Sequence, residues 1–171
     1  MSEAKHDEPD VRKIVVAVDV CSSSSIMDDL LKNGRTWKWR DLIIHMDRYL
    51  KAKSNDLNAQ VQKFVGDGWI MFFNSYDGGK IIQLLSDVLD EFLRLYRGDI
   101  FPSLDTPPEI FGLTFGIDEG RIIKLTMDQG DVEFVGRPIN IACRLQAKLD
   151  KNDIADGFRI LMSHRLFNDC D

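Results

Sequence analysis

The sequence predicts one α/β domain built on a mainly antiparallel sheet with helices packed against it, a ferredoxin-like βαββαβ core of the split βαβ kind. Three observations predict it. The run from Lys13 to Val20 is almost wholly apolar up to Asp19, as in a strand covered on both faces. Two further runs, Gln60 to Val65 and Trp69 to Phe73, flank Gly66, Asp67 and Gly68. Asp-Gly favours a tight hairpin turn because both residues tolerate positive φ. A long segment, about 77–96, places Ile81, Leu84, Leu85, Val88, Phe92 and Leu95 in helical register.

The remaining elements follow in order. Four serines, Ser22 to Ser25, supply N-cap residues before a short helix at Ile26 to Leu31, which Gly34 ends. A second helix fits Trp39 to Lys53, with Leu42, Met46, Tyr49 and Leu50 on one face. After the hairpin and the long helix, Pro102, Pro107 and Pro108 mark a loop. Ile110 to Ile117 and Arg121 to Thr126 are expected to form a second strand pair around Asp118, Glu119 and Gly120. Residues 128–131 read as another turn, Pro138 opens a helix running to about Leu149, and Phe158 to Met162 forms a last short strand.

The bulk properties narrow the function classes. A chain of 171 residues suits one domain with a substantial core. Residues 1–11 are expected to be a disordered tail and residues 12–171 a single domain. With 44% hydrophobic and 29% charged residues, the composition is that of a soluble globular protein. A net charge of −6 argues against broad electrostatic capture of nucleic acid. The polar first ten residues resemble neither a signal peptide nor an anchor, and no apolar run approaches the roughly 20 residues that cross a bilayer. Cys21, Cys143 and Cys170 are too widely spaced for a zinc or redox pair, so reduced thiols in a cytoplasmic protein are expected.

Two acids stand out. Asp19 ends the first strand and Asp67 sits in the hairpin turn, so neighbouring strands would bring them together across 48 residues of sequence. Carboxylates without His or Cys beside them suit hard divalent cations, Mg²⁺ or Mn²⁺. The serine loop and helix start after Asp19 can present N–H groups to phosphates. Asn140 and Arg144, four apart on the expected helix, point from one face. Together these groups suit chemistry on a nucleotide phosphate. Each has a plainer alternative: Asp19 and Asp67 as turn residues, Asn140 and Arg144 as solvated helix positions, Lys63 as an exposed strand lysine. His6, His45 and His164 form no constellation, and Trp37 with Trp39 is a candidate contact surface.

Taken together, the motifs resemble the class III nucleotidyl cyclase catalytic domain. Val16 to Val20 with its small-residue loop is similar to that family's first metal strand, and Lys63 to Gly68 to its second metal hairpin. Phe115 to Gly120 resembles its Gly-Ile-x-x-Gly strand, and Gly136 to Arg144 its Gly-x-x-x-Asn-x-x-x-Arg helix. The likeness runs in order over about residues 12–165. It implies that Asp19, Asp67 and the Val20 carbonyl hold two divalent cations, that Arg144 stabilises the α-phosphate, and that Asn140 orients the ribose. It also implies a homodimer in which one subunit supplies the acids and the other the Asn/Arg pair. Lys63 and Glu133 fall where adenine-reading members carry Lys and Asp, and the C-terminal hairpin with its phosphate-binding lysine has no counterpart before Asp171. The compact chain is most similar to the stand-alone bacterial pyrimidine cyclases of Pycsar antiphage defence, which signal to a separate effector. That likeness implies UTP ahead of CTP or ATP as substrate, with Tyr49 either narrowing the base pocket or serving as a core aromatic.

Overall fold

The computed structural model describes residues 10–63, 66–74, 77–126, 132–149 and 158–168. Its elements run β1 (Val11–Val20), α1 (Ser23–Lys32), α2 (Thr36–Asn55), β2 (Gln60–Lys63), β3 (Trp69–Asn74), α3 (Gly78–Leu95), β4 (Leu113–Thr126), β5 (Val132–Val135), α4 (Arg137–Ala147), β6 (Phe158–Met162) and α5 (His164–Asn168). The sheet order is β2-β3-β1-β4-β5, with β6 also paired to β4. Every pairing is antiparallel except β4 with β6. This is the mixed α/β fold expected, with β1 at its centre.

The apolar run of β1 explains that position. Ile14, Val16, Val18 and Val20 face the larger core, where they meet α1, α2 and α3 through Ile26, Leu42, Met46, Leu84, Val88 and Phe92. Val15 and Ala17 face a smaller cluster with Phe72, Ile122 and Ala142. A strand covered on both faces cannot alternate polar and apolar residues, and this one does not. It begins at Val11, inside the segment expected to be a tail; residues 1–9 lie outside the described residues.

Helix α4 lies against β4 and β1 because glycine lets it approach. A Cβ on Gly116 would overlap the Ala142 carbonyl oxygen and come within 2.9 Å of the Gln146 Cβ. Without that glycine, the helix would have to lift from the sheet.

Two expectations need correction. Asp118 to Gly120 do not turn the chain: β4 is one strand of 14 residues, and Asp118 and Glu119 pair with Val15 and Ile14. The ten residues of β1 offer an uninterrupted partner, and this tertiary pairing overrides the turn preference of Asp and Gly. The hairpin partner of β4 is β5, and the connecting segment, including 128–131, lies outside the described residues. The long helix also continues further than expected, through a π-helical turn at Tyr96–Ile100 and a 3-10 turn at Phe101–Ser103. Tyr96 is buried there, stacked on Phe92 and Phe111, and burial pushes its hydroxyl pKa up to about 12.

Candidate active site

Asp19 lies at the last register positions of β1, opposite Thr114 of β4. On the other edge of β1, the last pair with β3 is Val18 with Trp69. Extending that register sets Gly68 across from Asp19 and Asp67 across from Val20. Gly66 has φ +97, the left-handed conformation that lets the β2–β3 turn close. The structure therefore places Asp19 and the turn carrying Asp67 at the same end of the β1–β3 pair.

Asp67 is half-buried, and its Oδ2 is fully enclosed with no hydrogen-bond partner. An enclosed carboxylate oxygen without a donor is costly unless something positive meets it. The pocket beside it, about 180 Å³, is lined by Ser23, Ser24, Met27, Trp39 and Gly66. It opens at the start of α1, whose Ser22 makes no side-chain cap; the Ser22 hydroxyl instead donates to the Ile110 carbonyl at 2.7 Å. The first-turn N–H groups of α1 thus remain available to an anion.

Asp19 is held from the opposite side by a residue that the motif reading did not single out. Gln146 Nε2 donates to Asp19 Oδ2 at 3.2 Å and to Thr114 Oγ1 at 2.8 Å, and the Thr114 hydroxyl faces the Asp19 backbone oxygen at 3.5 Å. The available signal was its place two residues beyond Arg144, on the side of α4 that Ala142 buries.

Asn140 and Arg144 are both exposed on α4. At about 100° per residue they stand roughly 120° and 160° around the helix from Gln146. Within one chain, then, α4 reaches Asp19 with its inner face and turns the Asn/Arg pair outward. Lys63 ends β2 across from Trp69, and its side chain lies outside the described residues. Gln62 Nε2 donates to the Val132 carbonyl at 2.7 Å, which ties the strand end carrying Lys63 to the one carrying Glu133. Glu133 is exposed, in the register opposite Leu125. Tyr49 sits elsewhere: it packs between α2 and α3, with its hydroxyl 3.4 Å from the Asp87 carbonyl and Lys53 over its ring.

The donor set fits hard cations. Asp19, Asp67 and the Val20 carbonyl would all offer oxygen donors, and the enclosed Asp67 Oδ2 lacks a partner. Among the described residues, no group of three or more His, Cys, Asp or Glu side chains gathers to hold a metal. Two carboxylates would therefore need substrate oxygens to complete the coordination, the usual habit of Mg²⁺ with phosphates.

No family model matches the chain, and no curated protein does. Solved structures do match it: the fold is that of class III cyclase catalytic domains. A bacterial light-regulated adenylyl cyclase aligns with TM-score 0.75 and 19% identity over 98% of this chain. This chain spans about half of that protein, 47% of its length. The adenylyl cyclase CyaB from P. aeruginosa aligns with TM-score 0.71 and 20% identity, over 94% of this chain and 81% of its own. The guanylyl cyclase Cya2 aligns with TM-score 0.73 and 12% identity, over 95% and 80%. At these identities the likeness is one of fold.

Proposed function

We propose that the protein is a metal-dependent nucleotidyl cyclase that converts a nucleoside triphosphate to its 3′,5′-cyclic monophosphate and pyrophosphate, in a homodimer with two shared sites. The observation that carries this reading is the unpartnered Asp67 Oδ2 beside the start of α1, at the end of the β1–β3 pair that also carries Asp19. Two Mg²⁺ or Mn²⁺ ions on these oxygens would supply Lewis-acid polarisation and charge neutralisation at the triphosphate. Asp19 and Asp67 hold that charge in place, and Gln146 fixes the orientation of Asp19. The 3′-oxygen forms a bond to the α-phosphorus, the 3′-hydroxyl proton leaves, and pyrophosphate departs with the electrons of the broken P–O bond. Arg144, brought by the partner, donates to the α-phosphate oxygens as their charge builds, and Asn140 orients the ribose.

Support for the dimer comes from the outward placement of Asn140 and Arg144 and from an apolar face on the β4–β5 hairpin. Ile123, Leu125 and Val135 are 49%, 38% and 42% exposed. Ile123 and Val135 are register partners, so they share one side of the hairpin.

The base preference in this proposal is uracil, then cytosine. Lys63 would donate an ammonium N–H to the uracil 4-carbonyl, while Glu133, a methylene longer than the Asp of adenine readers, displaces the acceptor that adenine needs. Signalling through a separate effector in bacterial antiphage defence belongs to the same proposal. No helix among the described residues is long and apolar enough to cross a membrane.

The alternative of another class is a catalytically inactive cyclase-like dimerisation or binding module. Incubation with Mn²⁺ and equal concentrations of ATP, GTP, CTP and UTP, read by mass spectrometry, separates the readings. Cyclic UMP as the main product is expected. Cyclic AMP as the main product would overturn the base assignment, and no cyclic product would leave the binding module.

A further inference from the structure

The sheet has a notch on the far side of the molecule's centre from Asp19. One edge of β4 is covered by β1 from Leu113 to Ile122. The other is covered by β6 at Leu113–Ile117, and β5 pairs only with Ile123–Thr126. Between β6 and β5, residues 118–122 have no strand on that edge among the described residues. The Ser163 N–H donates to the Ile117 carbonyl at 3.0 Å, so the backbone groups of Ile117 point away from β1. By the alternation of strand hydrogen bonding, those of Glu119 point the same way, into the notch.

A cavity of about 610 Å³ fills this notch, within the range of small-molecule sites. Its charges are not balanced. Glu119 is paired with Arg12 at 2.9 Å, and Arg121 with Asp10 at 3.3 Å at the rim. Asp118, whose backbone pairs with Val15, lines the cavity at 7% exposure, and its carboxylate makes no side-chain hydrogen bond or ion pair with any described residue. The Ser163 Oγ, also lining it, is enclosed and without a partner. At the mouth stands Arg137, the first residue of α4, exposed and without an ion-pair partner among the described residues.

We propose that this notch binds a small zwitterion of the amino-acid type. Its ammonium group meets Asp118 and the Ser163 hydroxyl in the depth, and its carboxylate meets Arg137 at the mouth. A buried carboxylate without a donor calls for a cation or an N–H-rich group. The open backbone edge at Glu119 offers the donor and acceptor that a main-chain-like ligand matches, as in strand addition. The cavity thus carries one unpaired charge of each sign, Asp118 buried and Arg137 exposed, which selects a molecule carrying both signs. The site is separate from Asp19 and Asp67, and binding requires no turnover, so the inference stands or falls apart from the cyclase reading.

The test is thermal unfolding and calorimetric titration of the full chain with each of the twenty common amino acids, with ethylammonium and with acetate. At least one amino acid should raise the melting temperature with saturable dependence, while ethylammonium and acetate do not. Asp118→Asn, nearly isosteric, should weaken that binding tenfold or more. Arg137→Gln, at an exposed position that leaves packing intact, should do the same even if the first variant folds poorly. Binding by no amino acid, equal binding by either half-ligand, or undiminished binding in both variants would overturn the proposal.

Discussion

Gln146 and Asp19 are 127 residues apart in sequence and 3.2 Å apart in the fold, and the pair shows how this site is oriented. A metal-binding carboxylate needs a fixed direction, and an amide that donates to one of its oxygens supplies it. Gln146→Leu should therefore weaken Mn²⁺ binding by about 10- to 100-fold, the usual cost of losing such a partner. An electron paramagnetic resonance titration of free Mn²⁺ reads this without any turnover; unchanged affinity would remove Gln146 from the site. Asp19→Ala or Asp67→Ala should abolish cyclisation while circular dichroism stays native, because each takes an oxygen ligand without opening the core. Arg144→Ala should lower kcat by about 10²- to 10³-fold, the loss typical of one transition-state donor. A comparable rise in KM with kcat preserved would instead make Arg144 a ground-state binder.

At the scale of elements, α2 and α3 are clasped by a three-membered polar contact. His45 Nε2 lies 2.6 Å from Glu91, and Arg94 donates to both Glu91 carboxylate oxygens at 2.8 Å. The Arg94 hydrogen bonds, with a smaller contribution from His45, hold the Glu91 carboxyl at about 2 against an ordinary 4.5. A carboxyl whose pKa is lowered by folding stabilises the fold fully above its ordinary value and loses that contribution as pH falls toward the folded one. Urea midpoints of the wild type should therefore fall more steeply than those of Glu91→Gln between pH about 4.5 and 2. Equal slopes would show that the clasp contributes nothing.

The same scale separates what was legible in the sequence from what was not. β1, the β2–β3 hairpin, α3 and the start of α4 at Pro138 were legible because each is set by local period, turn chemistry or a cap. The interior of β4 was not. Asp118, Glu119 and Gly120 have the composition of a turn, yet β1 pairs with all three, and Gly120 serves α4 by leaving room for Pro138, whose Cγ would lie 2.8 Å from a Cβ there. That Asp19 and the turn carrying Asp67 lie at the same end of the β1–β3 pair could be anticipated from strand ends. Gln146 could not, since no periodicity encodes which side chain of a helix crosses to a strand. The π-helical turn after α3 was equally hidden, because its residues continue a helical pattern.

For the whole molecule, the decisive fact is that α4 faces two ways. Its inner side holds Asp19 through Gln146, and its outer side carries Asn140 and Arg144 into solvent. A single chain with this geometry leaves the acids and the Asn/Arg pair apart, and in the proposed dimer a symmetric pair of chains would complete two sites at once. The measurement that tests this most directly mixes Asp67→Ala protein with Arg144→Ala protein, each inactive or nearly so alone, in the presence of Mn²⁺ and all four triphosphates. With heterodimers verified by native mass spectrometry, cyclic nucleotide formation should return, because the mixed pair rebuilds one site with both acids and the arginine intact. Mixed dimers that stay as inactive as their parents would contradict the shared site.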